Sequence, residues 1–494
     1  MLDPVSYAIG RQKSGGAGSG VVADLFSASK SYAVGDLAIK DKMLWKKTSG
    51  SAVEEWDETH WTQVTIAGEV SALNSSKADK LQDPNNANKV WTVGADGGLI
   101  FTDKGGGSSE PTDLDKYVGK KLNDVFADAD ALYAAYHSGN FANINVGDYW
   151  RITLNGEFWD YGNYTLIAGN KYYSDTACTD EAGTVDANTV VSSVNDANDY
   201  CEVKISGITR YCKIEDCLLY NVRTLNNAIM DWEVGGCNSY WGYGDSGDLA
   251  NKTNHIVGFT RDGLPTTLKM RASNSRWANA EKETFEVTSA TGTYTLTDTT
   301  KKIRAVRDNG RLLTYNTHYT VASGAVTLKS AAAVVVGDTL SIEYTDTDDV
   351  WAGMALNKTL NDPDHGVLRL IQQADAKLYS HIANMRLYSA AVSVANAWSG
   401  LWADRQKLFL PLETEVWGEN IYGHATDATF RPQLPLFTSQ KHRVKGVGNG
   451  AARTYWWCGS AGSLTNVCRV YNTGSANYYT AANANAVPLG FVLS

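Results

Sequence analysis

Short segments in which apolar and polar residues alternate, each closed by a turn, constrain the fold of this 494-residue chain more than any other feature. They are densest over residues 284–345, where the alternation at 285–287 and 340–344 is separated by turns such as the one at 308–310. Five or six short strands in so few residues predict a small β-sandwich. Because this stretch differs from the sequence on either side of it, we interpret residues 284–348 as an insert in a larger domain.

The overall composition also favours strands over helices. The chain contains 45 Gly, 26 Tyr and 15 Trp but only 9 Pro, and abundant aromatic and turn residues favour short strands joined by loops. Apolar residues follow helical spacing over residues 117–136 and 367–382, and a third helix is predicted over 389–402. We therefore predict an α+β fold.

The charge and the apolar runs argue against several classes of protein. With 44 basic and 54 acidic residues the net charge is −10, whereas a general nucleic-acid binder presents a basic face. The longest purely apolar run, residues 331–336, is far shorter than the roughly 20 residues of a membrane-spanning helix. The first residues show no basic segment followed by an apolar one, so no secretory signal peptide is expected.

Cysteine and histidine usage indicates neither a disulfide framework nor a metal site. The seven cysteines are odd in number and form no Cys-x-x-Cys pair, and the eight histidines show no His-x-x-x-His spacing. We expect reduced thiols in a protein made in a reducing cytoplasm, with no metal and no cofactor.

Composition divides the chain into four parts. Residues 1–24 are predicted to be a flexible segment and residues 66–111 a linker or stalk. Between them, residues 25–65 are predicted to form a small β module. Residues 112–494 are predicted to form the large domain that carries the insert.

Three tryptophans mark the small N-terminal module. We expect Trp61 in its core and Trp56 to be the more exposed, and Trp45 and Trp56 are candidates for stacking on sugar rings, because indole faces attract C–H groups. Together with Tyr32 and Asp36, these tryptophans give a pattern that resembles chitin-binding-type carbohydrate modules. The resemblance implies that the module either binds sugar or attaches the protein to a larger particle.

A segment of unusual composition lies close to the C-terminus. Residues 466–486 contain five Asn and three Tyr among 21 residues. A core strand would not hold so many amides without partners, and the strand-like residues 489–493 that follow argue against a disordered tail. Because Tyr supplies rigid contact area while Asn, Ser and Gly supply adaptable hydrogen bonds, the segment predicts a ligand-facing surface. An Asn-rich pair of loops on any β-rich protein is the alternative.

A series of motifs in the large domain resembles a family of C-terminal domains of phage tail proteins. In chain order they are VGDYW at 146–150, HIV at 255–257, LFLPLETEVWG at 408–418, QLPLF at 433–437, YWW at 455–457 and VP at 487–488. The resemblance covers residues 112–283 and 349–494 and implies a C-type-lectin-like fold. This chain has Cys458-Gly-Ser460 where the family has Leu-Arg-Ser, and Val487-Pro-Leu489 where it has Val-Arg-Pro, so a role of those two arginines does not carry over.

The C-terminal segment is also similar to the variable regions of proteins diversified by diversity-generating retroelements. The similarity implies nine display positions, with Trp456 and Trp457 as scaffold beside them. The display positions are Asn466, Arg469, Tyr471, Asn472, Asn477, Tyr478, Tyr479, Asn483 and Asn485.

The two resemblances together imply a receptor-binding protein of a phage tail fibre or tail tip. Such a protein is made in the host bacterial cytoplasm and carried on the virion. It is expected to be a homotrimer that recognises a bacterial cell-surface protein or glycan. Its N-terminal region is expected to contact other phage tail proteins, and no contact with nucleic acid or insertion into a membrane is expected.

The sequence offers little support for an enzyme. Cys458 and Cys468 invite comparison with formylglycine-generating enzymes, which share the lectin-like fold, but the signature expected upstream is missing. Two half-buried small apolar side chains are the expected alternative. We predict that the protein is not an enzyme, with a tail-associated polysaccharide depolymerase and a structural virion decoration protein as alternative functions.

Carboxylates that lie close together in the sequence give the remaining candidates. Asp362 with Asp364 and Glu413 with Glu415 are acid pairs of the kind used in glycoside hydrolysis, but we expect Glu413 and Glu415 to lie on one solvated face of a strand. The acidic cluster at 346–349 lacks the spacing of a calcium loop and is expected to be a hinge.

Overall fold

The computed structural model describes residues 24–40, 43–53, 55–63, 89–93, 99–103, 119–237, 254–274, 276–402, 406–424, 432–450 and 452–494. Strands make up 40% of the structure and helices 15%, which confirms the prediction of a fold that mixes both elements and is rich in sheet. The chain divides into two compact units, Met1–Ser109 and Glu110–Ser494.

The N-terminal unit contains a small four-stranded sheet. In sheet order its strands are Asp24–Leu25, Leu37–Lys40, Met43–Lys47 and Trp61–Gln63, a 3-10 helix covers Glu58–His60, and a separate antiparallel pair joins Lys89–Val93 to Leu99–Asp103. Tyr32, Ala38 and Trp61 form the buried core of the sheet, so the prediction that Trp61 is a core residue is confirmed. Residues 1–23 of the predicted flexible segment lie outside the described residues, as does most of the predicted linker.

A four-stranded antiparallel sheet, here called the central sheet, organises the large unit. In sheet order its strands are Gly490–Leu493, Ile256–Thr260, Asn221–Cys237 and Tyr149–Asp160. Alternate residues of Tyr149–Asp160 are buried, among them Trp150, Ile152 and Leu154, because one face of the sheet packs against helices. The other strands at the centre are buried on both faces, as the five consecutive buried residues of Ile256–Thr260 show.

Six short helices are described in the large unit. They are Ala129–His137, Ala355–Asn361, Val367–Ala374, Ala376–His381, Glu413–Trp417 and Gln440–Arg443, with 3-10 turns at Leu122–Asp124, Ile214–Asp216, Ser330–Ala332 and Pro435–Thr438. Leu132, Tyr136, Leu370 and Ile371 are fully buried and share one core cluster with Trp232 of the central sheet.

Two predicted helices are present in part. The pattern over 117–136 corresponds to the 3-10 turn Leu122–Asp124 followed by the helix Ala129–His137. The pattern over 367–382 is divided at Asp375, whose carboxylate accepts a hydrogen bond from the Leu378 amide at 2.9 Å and caps a second helix. Capping of this kind starts a new helix because it satisfies an amide that has no partner within the helix.

The prediction of a helix over residues 389–402 is wrong. These residues form a hairpin in which Tyr388–Val392 pairs with Trp398–Trp402. Asn396 adopts a left-handed conformation in the turn, and the rings of Tyr388 and Trp402 lie 5.3 Å apart across the two strands. A left-handed turn residue and an aromatic pair across the strands favour a hairpin over the helix that the weak apolar spacing predicts.

Three further sheets are described, one before the insert and two within it. The first has seven strands in the order Glu181–Thr184, Lys171–Tyr173, Ile208–Lys213, Tyr200–Ile205, Thr189–Asn195, Thr165–Leu166 and Cys217–Leu218. In the insert, one sheet contains Glu281–Glu286, Thr339–Thr345, Lys302–Asp308 and Arg311–Leu312, and the other contains Thr293–Thr295, Ala325–Leu328 and Tyr319–Ala322. Val306, Val326 and Leu340 are buried in a core shared by the two insert sheets, so the strands predicted there are present.

Three small sheets make up the rest. The C-terminal sheet contains Trp456–Ala461, Asn466–Val470 and Ala476–Thr480 in that order. Two short pairs join Leu268–Lys269 to Ala484–Asn485 and Lys445–Gly446 to Arg453–Thr454. Among the described residues, no helix is long and apolar enough to cross a membrane.

A buried ionic network lies on the central sheet. Arg261, 2% exposed, donates to Glu233 Oε1 at 2.9 Å, and Arg151 donates to both carboxylate oxygens of Asp231 at 2.7 and 2.9 Å. His442 Nδ1 lies 3.4 Å from the other oxygen of Glu233. Burial alone would raise the pKa of Glu233, but the hydrogen bond with His442 and the charge of Arg261 outweigh it and lower the pKa.

We expect Glu233→Gln to destabilise the large unit at neutral pH by about 3 kcal/mol, because it removes the nearer carboxylate of buried Arg261 and leaves the more distant Asp231, 3.6 Å away, as an ionic partner. Since the pKa of Glu233 is lowered in the folded state, its stabilisation is present above the unfolded pKa of about 4.3 and is lost as the pH falls through the folded value. The difference between variant and parent should therefore shrink on acidification. Denaturant unfolding of both proteins at several pH values measures this difference in the free energy of unfolding.

The matched control is Glu157→Gln, an exposed carboxylate on the neighbouring strand of the same sheet, which should change stability little. A Glu233→Gln variant as stable as the parent at neutral pH would contradict the proposed role of the network.

Candidate functional site

The C-terminal sheet carries most of the predicted display positions. Asn466 and Arg469 lie on its middle strand, and Asn477, Tyr478 and Tyr479 on its outer strand. The remaining positions, Tyr471 and Asn472 in the connecting turn and Asn483 and Asn485 after the outer strand, follow in the chain. Among the strands that the structure describes, the outer strand pairs only with the middle strand.

The inner strand holds this sheet in the core. Trp456 and Trp457 are both 0% exposed, and their indole N–H groups donate to the carbonyls of Arg443 and Leu268 at 2.8 and 2.9 Å. The prediction that the two tryptophans are scaffold is confirmed. On the middle strand, Val467 packs into the same core cluster as Trp457.

The display positions differ in how far they reach the surface. Tyr478 and Tyr479 are 46% and 42% exposed. The others are half-buried except Asn485, which is 5% exposed and pairs with Leu268 in a short two-stranded ladder. The prediction that Asn485 is displayed is therefore wrong, because this ladder joins residue 485 to the interior.

Arg469 forms the centre of an aromatic cluster. Its guanidinium carbon lies 4.0 Å from the ring centre of Tyr479 and 4.4 Å from that of Tyr455. Its Nε donates to the Asn477 side-chain oxygen at 3.0 Å. Contacts between a cation and an aromatic face stabilise by about 0.5–1 kcal/mol at exposed sites, so the cluster orients the Tyr479 ring.

Sequence reasoning missed two residues of the same surface. Ile421 and Tyr422, 44% and 42% exposed, follow the helix Glu413–Trp417, and the Tyr422 ring lies 5.1 Å from the ring of Tyr478. Ile421, Tyr422, Tyr478 and Tyr479 are here called the recognition surface. Tyr478 lies on the face of the outer strand towards Tyr422, and Tyr479 lies on the opposite face towards Arg469, so the recognition surface borders both faces of this strand. The signal available in the sequence was a pair of large side chains between Gly418 and Gly423, but nothing there places them next to residue 478.

A buried carboxylate holds the segment that carries Ile421 and Tyr422. Glu413 is 0% exposed, and its Oε2 accepts hydrogen bonds from the amides of Ile421, Tyr422 and Gly423 at 2.9, 2.8 and 2.6 Å. Hydrogen bonds to ionised groups are about twice as strong as neutral ones. Glu413 thereby fixes the backbone on which half of the recognition surface is built.

The prediction that Glu413 and Glu415 lie on a solvated strand face is wrong. Both lie in the helix Glu413–Trp417 and are 0% exposed. Glu415 accepts the amide of Leu412 at 2.8 Å and caps the start of the helix. The alternation of charged and apolar residues suggested a strand, but the two carboxylates accept backbone amides instead. Glu415 does so at the start of the helix, and Glu413 does so in a neighbouring loop.

The other predicted acid pair is also engaged by its neighbours. Asp362 accepts a hydrogen bond from the Tyr161 hydroxyl at 2.6 Å and from the amides of Asp364 and His365 at 2.9 Å. Burial would raise the pKa of Asp362, but these hydrogen bonds outweigh it and lower the pKa. A carboxyl group held ionised in this way is a poor proton donor, whereas a glycosidase acid needs a raised pKa.

The two C-terminal cysteines are core residues. Cys458 and Cys468 are 0% exposed, and burial raises the pKa of Cys458 well above its ordinary value. A reactive cysteine requires the opposite shift.

The acidic cluster at 346–349 has partners within the protein. Asp348 lies 3.0 Å from Arg304, and Asp349 accepts the amide of Trp351 at 2.9 Å. In the described part of the chain, no group of three or more His, Cys, Asp or Glu side chains is arranged to hold a metal ion.

In the N-terminal module, the two candidate sugar-stacking residues belong to one aromatic cluster. The rings of Trp45 and Trp56 lie 5.2 Å apart, and Trp56 stacks on Trp61 at 5.2 Å. Trp45 and Trp56 are both half-buried. Sugar stacking by Trp45 and Trp56 stays a prediction.

No protein-family model, curated protein or solved structure matches the chain.

We expect Glu413→Ala to lower the free energy of unfolding of the large unit by about 3 kcal/mol, because each unsatisfied donor costs about 1–3 kcal/mol. The amides of Ile421 and Gly423 should also exchange hydrogen faster. Denaturant unfolding and hydrogen exchange measure the two effects. Glu419→Ala, at an exposed position of the same segment, is the control, and equal behaviour of both variants would show that Glu413 does not hold the loop.

Proposed function

We propose that the protein is a receptor-binding protein of a phage tail fibre or tail tip, which recognises a bacterial surface ligand through the recognition surface. The observation that carries the proposal is the exposure of four large side chains, each above 40%, on backbone held by buried residues. They are Ile421, Tyr422, Tyr478 and Tyr479. Large apolar and aromatic side chains of this kind are enriched in protein recognition sites.

The surroundings of the recognition surface support binding with a low entropic cost. Tyr479 is oriented by Arg469, and the Ile421–Tyr422 segment is held by Glu413. Side chains that are ordered before binding lose less conformational freedom on binding, so more of the contact energy contributes to affinity. Half-buried Asn477 and Asn472 lie on the same strand pair and its turn, and they supply amide groups for hydrogen bonds.

We further propose that the large unit is a C-type-lectin-like domain with a β-sandwich insert and that a retroelement diversifies its C-terminal segment. The combination of a buried inner strand, an exposed outer strand and a buried last strand Gly490–Leu493 supports this proposal. Exchanges at Asn466, Asn477 or Tyr478 would leave the buried anchors unchanged. Asn485 is not among the positions proposed to vary, since it is buried.

The N-terminal unit would attach the protein to other phage tail proteins or to sugar, and three copies would form a homotrimer on the virion after synthesis in the host cytoplasm. Linked sites bind a multivalent cell surface more tightly than one site, because the second contact forms at high effective concentration. The ligand would be a bacterial cell-surface protein or glycan.

We expect the double variant Tyr478→Ala with Tyr479→Ala to abolish adsorption to host cells. Interface tyrosines that dominate binding contribute at least about 2 kcal/mol each, roughly thirtyfold in Kd. The melting temperature should change little, because both side chains are largely exposed. Cell-binding assays and thermal unfolding measure the two effects.

The control is Val335→Ala with Val336→Ala, two side chains of the insert that are 64% and 63% exposed. This variant should bind like the parent. A large loss of stability with unchanged adsorption in the tyrosine variant would contradict the proposal and favour a structural decoration protein whose aromatic residues are buried between copies.

The proposed diversification has a genomic consequence. A reverse-transcriptase gene should lie near the gene of this protein, together with a near-copy of its 3′ end that differs at adenines. Sequencing of the locus from several isolates should show changes at codons 477–479 and none at codons 456 and 457. Variation spread evenly over these codons would contradict targeted diversification.

A further inference from the structure

A large cleft lies between the insert and the seven-stranded sheet. Its volume is about 1090 Å³, slightly above the roughly 300–1,000 Å³ that is usual for ligand sites. It is formed wholly by residues of the large unit and contains none of the recognition surface. The cleft is therefore a second candidate site, and the inference about it does not rest on the proposed function.

The insert contributes a wall of hydroxyl and amide groups. Thr284 and Ser341 are direct partners on adjacent strands of its four-stranded sheet, and Thr339 and Asn309 line the cleft beside them. Leu340 and Ile342, which alternate with these residues, point into the insert core. The polar face of the sheet thus faces the cleft with short side chains that both donate and accept hydrogen bonds.

Aromatic rings line the cleft as well. Tyr161, from the end of the central sheet, and Tyr344, from the insert, are half-buried and both contribute to its lining. The Tyr161 ring is held by the hydrogen bond from its hydroxyl to Asp362 at 2.6 Å and by the Lys358 ammonium 4.6 Å from its centre. A fixed ring offers an apolar face at low entropic cost.

The charged groups of the cleft largely neutralise one another. Arg276 contacts Asp196 at 2.6 Å and Asp199 at 2.5 Å, and Arg307 contacts Glu343 at 2.7 Å. The lining contains five basic and four acidic side chains. A site for a phosphate or a polyanion concentrates positive charge, so this near balance favours a neutral ligand.

The two walls are tied together. Arg276 joins the segment before the insert to the turn at Asp196 and Asp199, and the amide of Leu312 donates to the carbonyl of Ala197 at 3.4 Å. Arg307 Nη1 also donates to the carbonyl of Asp196. These contacts fix the width of the cleft before a ligand enters, which is what a pre-formed binding site requires.

We propose that this cleft binds a short neutral oligosaccharide. Sugar hydroxyl groups would exchange hydrogen bonds with Thr284, Thr339 and Ser341, while the C–H faces of the rings pack against Tyr161. Short polar side chains beside rigid aromatic faces match the two kinds of surface that a sugar ring presents.

Calorimetric titration of the full chain with linear neutral oligosaccharides of hexose and N-acetylhexosamine units tests the proposal, with uronic-acid oligosaccharides of equal length as anionic probes. We expect saturable binding of at least one neutral probe and none of the anionic ones. Thr284→Trp fills the cleft from an exposed strand position and should weaken that binding by at least about tenfold.

The matched control is Glu286→Trp, which lies on the same strand and the same face but outside the cleft lining. It should bind the neutral probe like the parent, and so should the Tyr478→Ala, Tyr479→Ala variant. Thermal unfolding confirms that the insert is folded in each variant. Absence of binding by every neutral probe, equal loss in both tryptophan variants, or preference for the anionic probes would overturn the proposal.

Discussion

The pairing of the last strand with the middle of the central sheet is the constraint on which the candidate site depends. Gly490–Leu493 pairs with Ile256–Thr260 in the register Ile256 with Leu493 and Phe259 with Gly490. A side chain at residue 490 would meet the Phe259 ring at 2.1 Å, so only glycine allows the two strands this approach. Because the segment before it starts from the buried strand Trp456–Ala461, the intervening chain is anchored at both ends.

This double anchoring separates structural from surface residues within one short segment. Side chains on both faces of the middle strand are buried, with Val467 in one core cluster and Cys468 in another. In the described part of the chain, the outer strand pairs with the middle strand alone. Tyr478 and Tyr479 extend from it in opposite directions, towards Tyr422 and Arg469 respectively. Exchanges on such a strand would alter the surface that it presents, while its hydrogen-bonded pairing with the middle strand would remain unchanged.

The sequence predicted local features better than contacts between distant residues. Alternation in the insert and helical spacing around Leu370 are local, and the structure contains the corresponding elements. The hairpin Tyr388–Val392 with Trp398–Trp402 was missed, because its turn conformation and cross-strand ring contact are not visible as a period. The roles of Glu413 and of the Ile421–Tyr422 segment depend on hydrogen bonds and ring contacts that form only in the folded chain.

The protein has a net charge of −10, but its C-terminal segment carries almost no charge. Contacts made by this segment would therefore depend little on electrostatic attraction. Arg469 is the only charged residue between 466 and 486, and its guanidinium is engaged by Tyr479, Tyr455 and Asn477. Screening by salt weakens exposed charges but has little effect on buried contact area or on neutral hydrogen bonds. In the proposed function, specificity would therefore be set by the shape and hydrogen-bonding pattern of the Tyr and Asn side chains, which lie apart from the ionic network of the central sheet.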